Sequence, residues 1–148
     1  MRVRRATRAD AAALGEVHAA AFDPPWTADE ILRFAEDPGG FALAAEAEGA
    51  LAGFVLCRVV AGEAEVLTLA VRPADRRKGA ASALLAEAGA LASLRAQSLF
   101  LEVAADNEGA IALYRQTGFR TVGRRAGYYA RPGGPAVDAL VMRRALNT

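Results

Sequence analysis

Three consecutive cations stand where an apolar segment gives way to one rich in Ala and Leu. Arg76, Arg77 and Lys78 come directly before Gly79, and the apolar run that precedes them ends at Val71. A helix N-terminus carries partial positive charge, so cations here lower the stability of the helix that begins there. Unpaired N–H groups at a helix start, beside a glycine and cations, bind phosphate well. The segment is therefore a candidate phosphate site, and a solvent-exposed basic turn is the alternative.

Glu102 is the second candidate for chemistry, because it is the only charge in the apolar run 99–103. A carboxylate among apolar neighbours must either face a cavity or lose its hydration, and lost hydration raises the pKa of a carboxyl group. Such a group can act as a general base near neutral pH. The alternative is an outward-facing glutamate that pairs with a cation.

Tyr114 is the third candidate, on the helix predicted after the strand that carries Glu102. A phenol with its ordinary pKa of about 10 stays protonated at neutral pH, so it can donate a proton to a leaving anion. The alternative is an ordinary core residue of an amphipathic helix.

His18 and Cys57 are weaker candidates, because a lone histidine beside an apolar stripe and a cysteine in an apolar run are more commonly packed than catalytic. Trp26 lies in a Pro-rich loop and forms either a core plug or one wall of a substrate groove.

The elements that position these residues follow from apolar periodicity, caps and turn residues. Thr7 and Thr27 are predicted N-caps of two successive helices, and Glu30 completes a capping box with Thr27. The predicted strands are 2–6, 41–47, 51–60, 64–71, 98–105, 119–125 and 136–144; the later helices are 79–94 and 107–117; and the loop between the last two strands contains Tyr128 and Tyr129. The passage 64–105 predicts a right-handed parallel crossover. The fold class is therefore a mixed α/β sheet, mostly antiparallel with one parallel strand pair and helices on both faces.

Composition limits the classes of function. The chain has 148 residues, 53% hydrophobic and 24% charged, which predicts one globular domain over 1–148. A net charge of +1 gives no global basic field, so we expect no direct nucleic-acid binding. The one cysteine excludes a disulfide within the chain, and no apolar run has the length of a signal or membrane segment. We expect a soluble cytoplasmic protein, a monomer or weak homodimer, with no membrane contact and no metal site.

Two sequence patterns carry a family resemblance. The pattern Val71-x-Pro73-x-x-Arg76-Arg77-x-Gly79-x-Ala81 resembles the acetyl-CoA loop of the GCN5-related N-acetyltransferase (GNAT) superfamily. The run Leu101-Glu102-Val103, then Asn107, Ala112-Leu113-Tyr114 and Gly118-Phe119, is similar to the second half of that signature. Within the superfamily, the segments 22–26, 127–129 and 138–139 resemble the bacterial ribosomal-protein-alanine N-acetyltransferases. The resemblance covers nearly the whole chain and is strongest over 67–129.

The resemblance implies a role for each candidate residue. Glu102 matches the family's general base and Tyr114 its general acid. The implied acetyl-CoA site consists of strand, loop and helix-start residues together with one helix cap: Leu69, Ala70, Val71, Arg76, Arg77, Lys78, Gly79, Ala80, Ala81, Ser82 and Asn107. No metal is implied. The acceptor would lie in a groove near Trp26, Tyr128 and Tyr129.

The implied activity is transfer of acetyl from acetyl-CoA to the N-terminal α-amine of a protein that begins with alanine, a small-subunit ribosomal protein. A small-molecule amine or a lysine side chain is the alternative acceptor for the same donor. A coenzyme-binding regulatory module without catalysis is the non-enzyme alternative. The presence of both Glu102 and Tyr114 favours an enzyme.

Overall fold

The computed structural model describes residues 1–146, so the last two residues of the predicted domain 1–148 lie outside it. Within residues 1–146, seven strands and four α-helices form in the order β1 Arg2–Arg5, α1 Ala11–Ala21, α2 Ala28–Glu36, β2 Gly40–Ala47, β3 Ala50–Val60, β4 Glu63–Val71, α3 Ala80–Ala92, β5 Ser98–Ala104, α4 Glu108–Gln116, β6 Arg120–Tyr129 and β7 Val137–Ala145. Single 3₁₀ turns precede α1 and α3, at Arg8–Asp10 and Pro73–Asp75.

All seven strands belong to one sheet, in the order β1-β2-β3-β4-β5-β7-β6. Every neighbouring pair is antiparallel except β4 and β5, which are parallel and joined through α3. A parallel pair needs a crossover connection, and the helix of 80–92 supplies it. The predicted fold class is confirmed.

Helices cover both faces of this sheet, each over its own apolar cluster. On one face, Leu14 and Val17 of α1 and Ile31 of α2 pack against β2 and β3 around Phe54. On the other face, α3 and α4 pack against the alternate strand residues, which include Val55 and Leu101. Because strand side chains alternate between faces, each central strand contributes to both clusters.

The predicted capping box of α2 is present in full. The Thr27 hydroxyl accepts the Glu30 N–H at 3.1 Å, and the Glu30 carboxylate accepts the Thr27 N–H at 3.0 Å. These two bonds satisfy donors that a helix start otherwise leaves without partners. The cap therefore fixes where the loop between α1 and α2 ends.

The prediction was wrong about the end of β6. Tyr128 and Tyr129 were assigned to a loop, yet β6 runs to Tyr129, which pairs with Val137 of β7. The pairing is irregular between Arg125 and Tyr129, where Gly127 has a φ of 62°. A glycine adopts this left-handed conformation at little cost, so the strand continues through a bulge at Gly127. In the sequence, the same glycine is typical of a turn, which is why a loop was predicted here.

Candidate active site

The parallel strands β4 and β5 pair only at their first residues and then separate. Glu63, Ala64 and Glu65 lie opposite Ser98, Leu99 and Phe100, and no further pairs form between these two strands. Beyond Glu65, the edge of β4 that faces β5 therefore has no strand partner. A cavity of about 1070 Å³ opens at this separation and is bordered by both strands, by the starts of α3 and α4, and by the α1–α2 loop.

A β-bulge in β4 sets which side chains face each side of this cavity. Leu56 of β3 lies opposite Thr68 while Cys57 lies opposite Val66, so Leu67 is an extra residue. Before the bulge Val66 packs in the cluster under α3, whereas after it Leu69 does so. The bulge thus reverses the alternation and turns Thr68 toward α1. Bulges of this kind commonly redirect side chains beside active sites.

The loop from β4 to α3 presents backbone groups and cations to the cavity. Arg77 and Gly79 both have left-handed backbone, with φ of 62° and 83°. Gly79 is the N-cap of α3 and has no capping side chain, so the first N–H groups of the helix lack a side-chain partner. A helix start in this state favours an anion.

Asp75 changes the interpretation of the cation run. It is buried, and its carboxylate accepts from Arg72 at 2.8 Å and lies 3.7 Å from Lys78 Nζ. Lys78 does not line the cavity, although it was predicted to belong to the phosphate site, whereas Arg76 and Arg77 do line it. The Asp75 carboxylate thus pairs with Lys78 of the run and with Arg72 before it, and leaves Arg76 and Arg77 toward the cavity. The sequence shows Asp75 but does not reveal that it is buried.

Glu102 lies where β5 borders the cavity, with its side chain 22% exposed. Its neighbours Leu101 and Val103 point into the cluster under α3, so Glu102 points to the other face. One carboxylate oxygen, Oε1, lies 3.3 Å from Arg125 Nη2. The other, Oε2, is buried and has no hydrogen-bond partner within residues 1–146. A buried carboxylate oxygen is costly to leave unpaired, which favours a site that a donor from a substrate completes.

Tyr114 borders the same cavity from α4, on the opposite face of the sheet from Glu102. Its ring meets Phe119 edge to face, with 5.9 Å between centroids. Burial raises the pKa of the phenol to about 12, and the neighbouring Tyr129 adds to the shift. The hydroxyl therefore stays protonated throughout the neutral range, the state in which a phenol can donate a proton.

Asn107 begins α4 and faces the cavity beside Tyr114. Its side chain accepts the Ala110 N–H at 3.2 Å, the N-cap interaction that the sequence predicted. Through this cap, Asn107 sets the direction in which α4 leaves β5. It lies on the cavity wall, as the implied coenzyme contact requires.

Aromatic residues form the remaining wall, and not all of them lie where the sequence suggested. Trp26 lines the cavity, and its ring packs on Phe34 with 5.6 Å between ring centroids. It therefore both fills the core between the helices and forms part of the cavity wall. Tyr129 also lines the cavity, and burial raises the pKa of its phenol, with the Glu102 charge contributing. Tyr128 is 52% exposed and lies outside the cavity wall, stacked edge to face on Tyr129 at 5.1 Å.

Within residues 1–146 no group of acidic, His and Cys side chains could hold a metal ion. Across the same residues, no helix is long and apolar enough to cross a membrane.

Cys57 is buried, and burial raises the pKa of its thiol to about 12, which keeps it protonated. Cys57 does not line the cavity, and a protonated thiol is a poor nucleophile.

Most of the predicted site residues meet at this one cavity. Those on its wall are Leu69, Ala70, Val71, Arg76, Arg77, Gly79, Ala80, Ala81, Ser82, Glu102, Asn107 and Tyr114. The family model described as the acetyltransferase (GNAT) family matches residues 11–119. The chain belongs to the GNAT family. The superfamily that the sequence patterns suggested is thereby confirmed, and so is its class as an acyltransferase.

This GNAT acetyltransferase is similar in sequence and structure to several individual acetyltransferases. It is 38% identical over 144 residues to the N-alpha-acetyltransferase RimI of Mycobacterium tuberculosis, covering 93% of this chain and 88% of the relative. The crystal structure of the ribosomal-protein-S18-alanine N-acetyltransferase from Escherichia coli superposes with a TM-score of 0.90 at 28% identity, over 99% of this chain and 94% of that one. A mycothiol acetyltransferase of Clavibacter sepedonicus is 45% identical over 85 residues, 57% of this chain and 28% of the relative.

The sequence analysis of this GNAT acetyltransferase treated His18 only as a weaker candidate, more commonly packed than catalytic. His18 is buried, lines the cavity and bonds to both the α1–α2 loop and β4. In the sequence, the position of His18 directly after Val17 on the apolar stripe of α1 indicates only that its side chain is buried. The sequence does not identify Trp26 and Thr68 as its hydrogen-bond partners, because the bulge that brings Thr68 to the ring depends on the pairing of β4 with β3.

Proposed function

We propose that this acetyltransferase transfers the acetyl group of acetyl-CoA to the N-terminal α-amine of a protein, an alanine-starting small-subunit ribosomal protein. The observation that carries this proposal is the 38% identity, over nearly the full length of both chains, to a relative named as an N-alpha-acetyltransferase. The full-length structural similarity to a ribosomal-protein-S18-alanine N-acetyltransferase supports the same acceptor class. The expected cytoplasmic location and monomeric or weakly dimeric state belong to this proposal, and cell fractionation and light scattering test them.

The cavity fits an acetyl-CoA donor by its shape and charge. The separated edges of β4 and β5 leave backbone groups without strand partners, and an extended amide-containing arm can bond to such groups as an added strand would. The start of α3, with Arg76 and Arg77 beside it, offers N–H groups and cations to a pyrophosphate. We assign the donor to these residues and to Asn107.

Glu102 is the proposed general base. An α-amine has an ordinary pKa of about 8, so at neutral pH most acceptor molecules carry a proton that must leave before attack. The unpartnered Oε2 of Glu102 accepts this proton, directly or through one water. Arg125, on the other carboxylate oxygen, holds the side chain in place. The neutral amine then attacks the acetyl carbonyl that the bound donor supplies.

Tyr114 is the proposed general acid. As the new N–C bond forms, the C–S bond of the thioester breaks, and the sulfur leaves with its electron pair. The Tyr114 hydroxyl donates its proton to that sulfur, which is possible because burial keeps the phenol protonated. A backbone N–H of 69–71 stabilises the negative charge on the carbonyl oxygen, an effect worth about 3 kcal/mol per donor. Holding both substrates in one cavity supplies proximity without a covalent intermediate.

A small-molecule amine is the competing acceptor, favoured by the 45% identity to a mycothiol acetyltransferase. That similarity covers 57% of this chain, whereas the similarity to the N-alpha-acetyltransferase covers 93%. The acceptor side separates the two functions, because a polypeptide needs room to leave the cavity past Trp26 and Tyr129. We assign the acceptor groove to these residues and to Tyr128 at its outer rim.

The test compares acceptors with purified protein and acetyl-CoA. CoA release is followed with two peptides of one sequence that begin Ala-Arg. One has a free α-amine, and the other is blocked and carries an internal lysine. Turnover of the free-amine peptide alone supports the proposal, and turnover of the blocked peptide transfers the activity to lysine. If neither peptide reacts while a small-molecule amine does, the proposal is wrong.

A further inference from the structure

His18 is buried between the loop that borders the acceptor side of the cavity and the strand that borders its donor side. The ring is 1% exposed and lies parallel to Phe22, with 4.4 Å between centroids and 15° between planes. Both of its nitrogens are bonded. The Trp26 N–H donates to Nδ1 at 3.0 Å, and Nε2 lies 3.0 Å from the Thr68 hydroxyl oxygen.

These two bonds determine the protonation state of the ring. A backbone N–H is only a donor, so the Nδ1 that it approaches must carry a lone pair. The ring is then neutral, with its proton on Nε2, and donates to Thr68. Burial lowers the pKa of this imidazole, and the weaker opposing effect is the carboxylate of Glu30 on α2, so the neutral form is stable near pH 7.

The partners of the ring are what set His18 apart from a histidine that only packs. Trp26 and Thr68 both line the cavity, the first from the α1–α2 loop and the second from β4 directly after the bulge. Apolar packing on Phe22 and Phe54 would be served equally by a phenylalanine. The geometry points to His18 as a positioning residue, which fixes the Trp26 loop against the bulged strand and so sets the width of the acceptor entrance. This inference rests on the proposed function, because it takes the Trp26 side of the cavity as the acceptor side.

The kinetic test uses variants that remove one property at a time. His18→Phe keeps a planar ring but loses both bonds, and His18→Asn keeps an acceptor near the Nδ1 position. Val17→Ala, at the neighbouring buried position of α1, removes apolar packing but neither hydrogen bond. We expect His18→Phe to raise the KM of the free-amine peptide about five- to tenfold, the cost of a lost hydrogen bond, with acetyl-CoA affinity unchanged and kcat within about twofold. His18→Asn falls between wild type and His18→Phe, and Val17→Ala leaves the KM unchanged. The inference is wrong if His18→Phe raises the KM no more than Val17→Ala does.

Trp26 provides a readout that does not depend on turnover, because it is the only tryptophan of the chain. Its ring lies 5.7 Å from His18 and 5.6 Å from Phe34. Release of the loop moves the indole toward water, so His18→Phe should shift its fluorescence emission to longer wavelength, and Val17→Ala should not. An unshifted spectrum in His18→Phe overturns the inference even if every peptide is turned over.

Thr68→Val keeps the test decisive if His18→Phe fails to fold. It removes the other partner of the ring and leaves His18 in place, so a smaller change of the peptide KM and of the emission in the same direction is expected. No change in either measurement contradicts the inference. If wild type turns over no free-amine peptide, the proposed function fails, and the fluorescence comparison still decides whether His18 positions the loop.

Discussion

Replacing Tyr114 by Phe isolates the proposed proton donor. The substitution removes one oxygen and keeps the ring that meets Phe119 edge to face at 5.9 Å. Removing one hydroxyl from a retained ring should change the free energy of unfolding by no more than about 1 kcal/mol, the contribution of a single hydrogen bond. Stability and catalysis are thus separable at this position.

The size of the catalytic effect follows from the role. Proton transfer by a positioned general acid contributes roughly 10²- to 10⁴-fold to rate, so kcat of Tyr114→Phe should fall by about that factor. Affinity for acetyl-CoA should stay within about twofold, because the aromatic wall of the cavity remains. The phenol pKa of about 12 gives a second expectation. At pH 10 an ordinary phenol is about half ionised, whereas this one is about 1% ionised, so wild-type kcat should show no decline from Tyr114 up to that pH.

The assay is CoA release from acetyl-CoA and the free-amine Ala-Arg peptide, measured from pH 6 to 10 with thermal stability recorded at each pH. Thr117→Val is the matched control, since it also removes a hydroxyl from the end of α4, one that donates to Leu113 and Tyr114 carbonyls at 3.0 Å. It should lower stability and spare kcat. A Tyr114→Phe kcat within twofold of wild type would refute the assignment. A wild-type kcat halved at pH 10 without unfolding would instead place the phenol pKa well below 12.

Three further expectations follow from the same structure. Glu102→Gln should lower kcat by about 10²-fold or more at pH 7 and lose less at pH 9, where the acceptor amine is already neutral; equal losses at both values would contradict its role as base. Gly79→Ala should lower the melting temperature through about 1 kcal/mol of left-handed strain at a φ of 83°, although the added carbon meets nothing within 4 Å; calorimetry that shows no decrease would contradict this. His18 should make the free energy of unfolding decrease as pH drops from about 7 toward 5, because its pKa is lowered in the fold and the unfolded chain takes up the proton first. His18 is the only histidine, so denaturant unfolding of His18→Gln should lack this slope, and a retained slope would assign it elsewhere.

Local chemistry explains which elements could be predicted from the sequence. The start of α2 was correct because Thr27 and Glu30 form bonds within one turn, which no distant residue can override. The strand β5 was correct because its apolar run is long enough to be buried, and Asn107 marks the next helix for the same local reason. Glu102 could be singled out because it is the only charged residue in the apolar run 99–103.

The features that were missed depend on contacts between distant parts of the chain. The bulge at Leu67 is defined by its register against β3, and the separation of β4 from β5 beyond Glu65 has no counterpart in local pattern. Tyr129 resembles part of a loop because Gly127 precedes it, and pairing with Val137 makes it a strand residue. The roles of Glu102 and Tyr114 stay predictions, although the fold brings both to one cavity.

The separation of β4 and β5 has a consequence for the kinetic order of the reaction. It is an opening through the sheet, with Glu102 on one face and Tyr114 on the other. The two substrates can therefore bind from opposite faces of the sheet. Both can be bound at the same time, and no product has to leave before the second substrate binds. Initial-velocity plots should intersect, as they do for a ternary complex, and each product should compete only with the substrate that shares its face of the sheet.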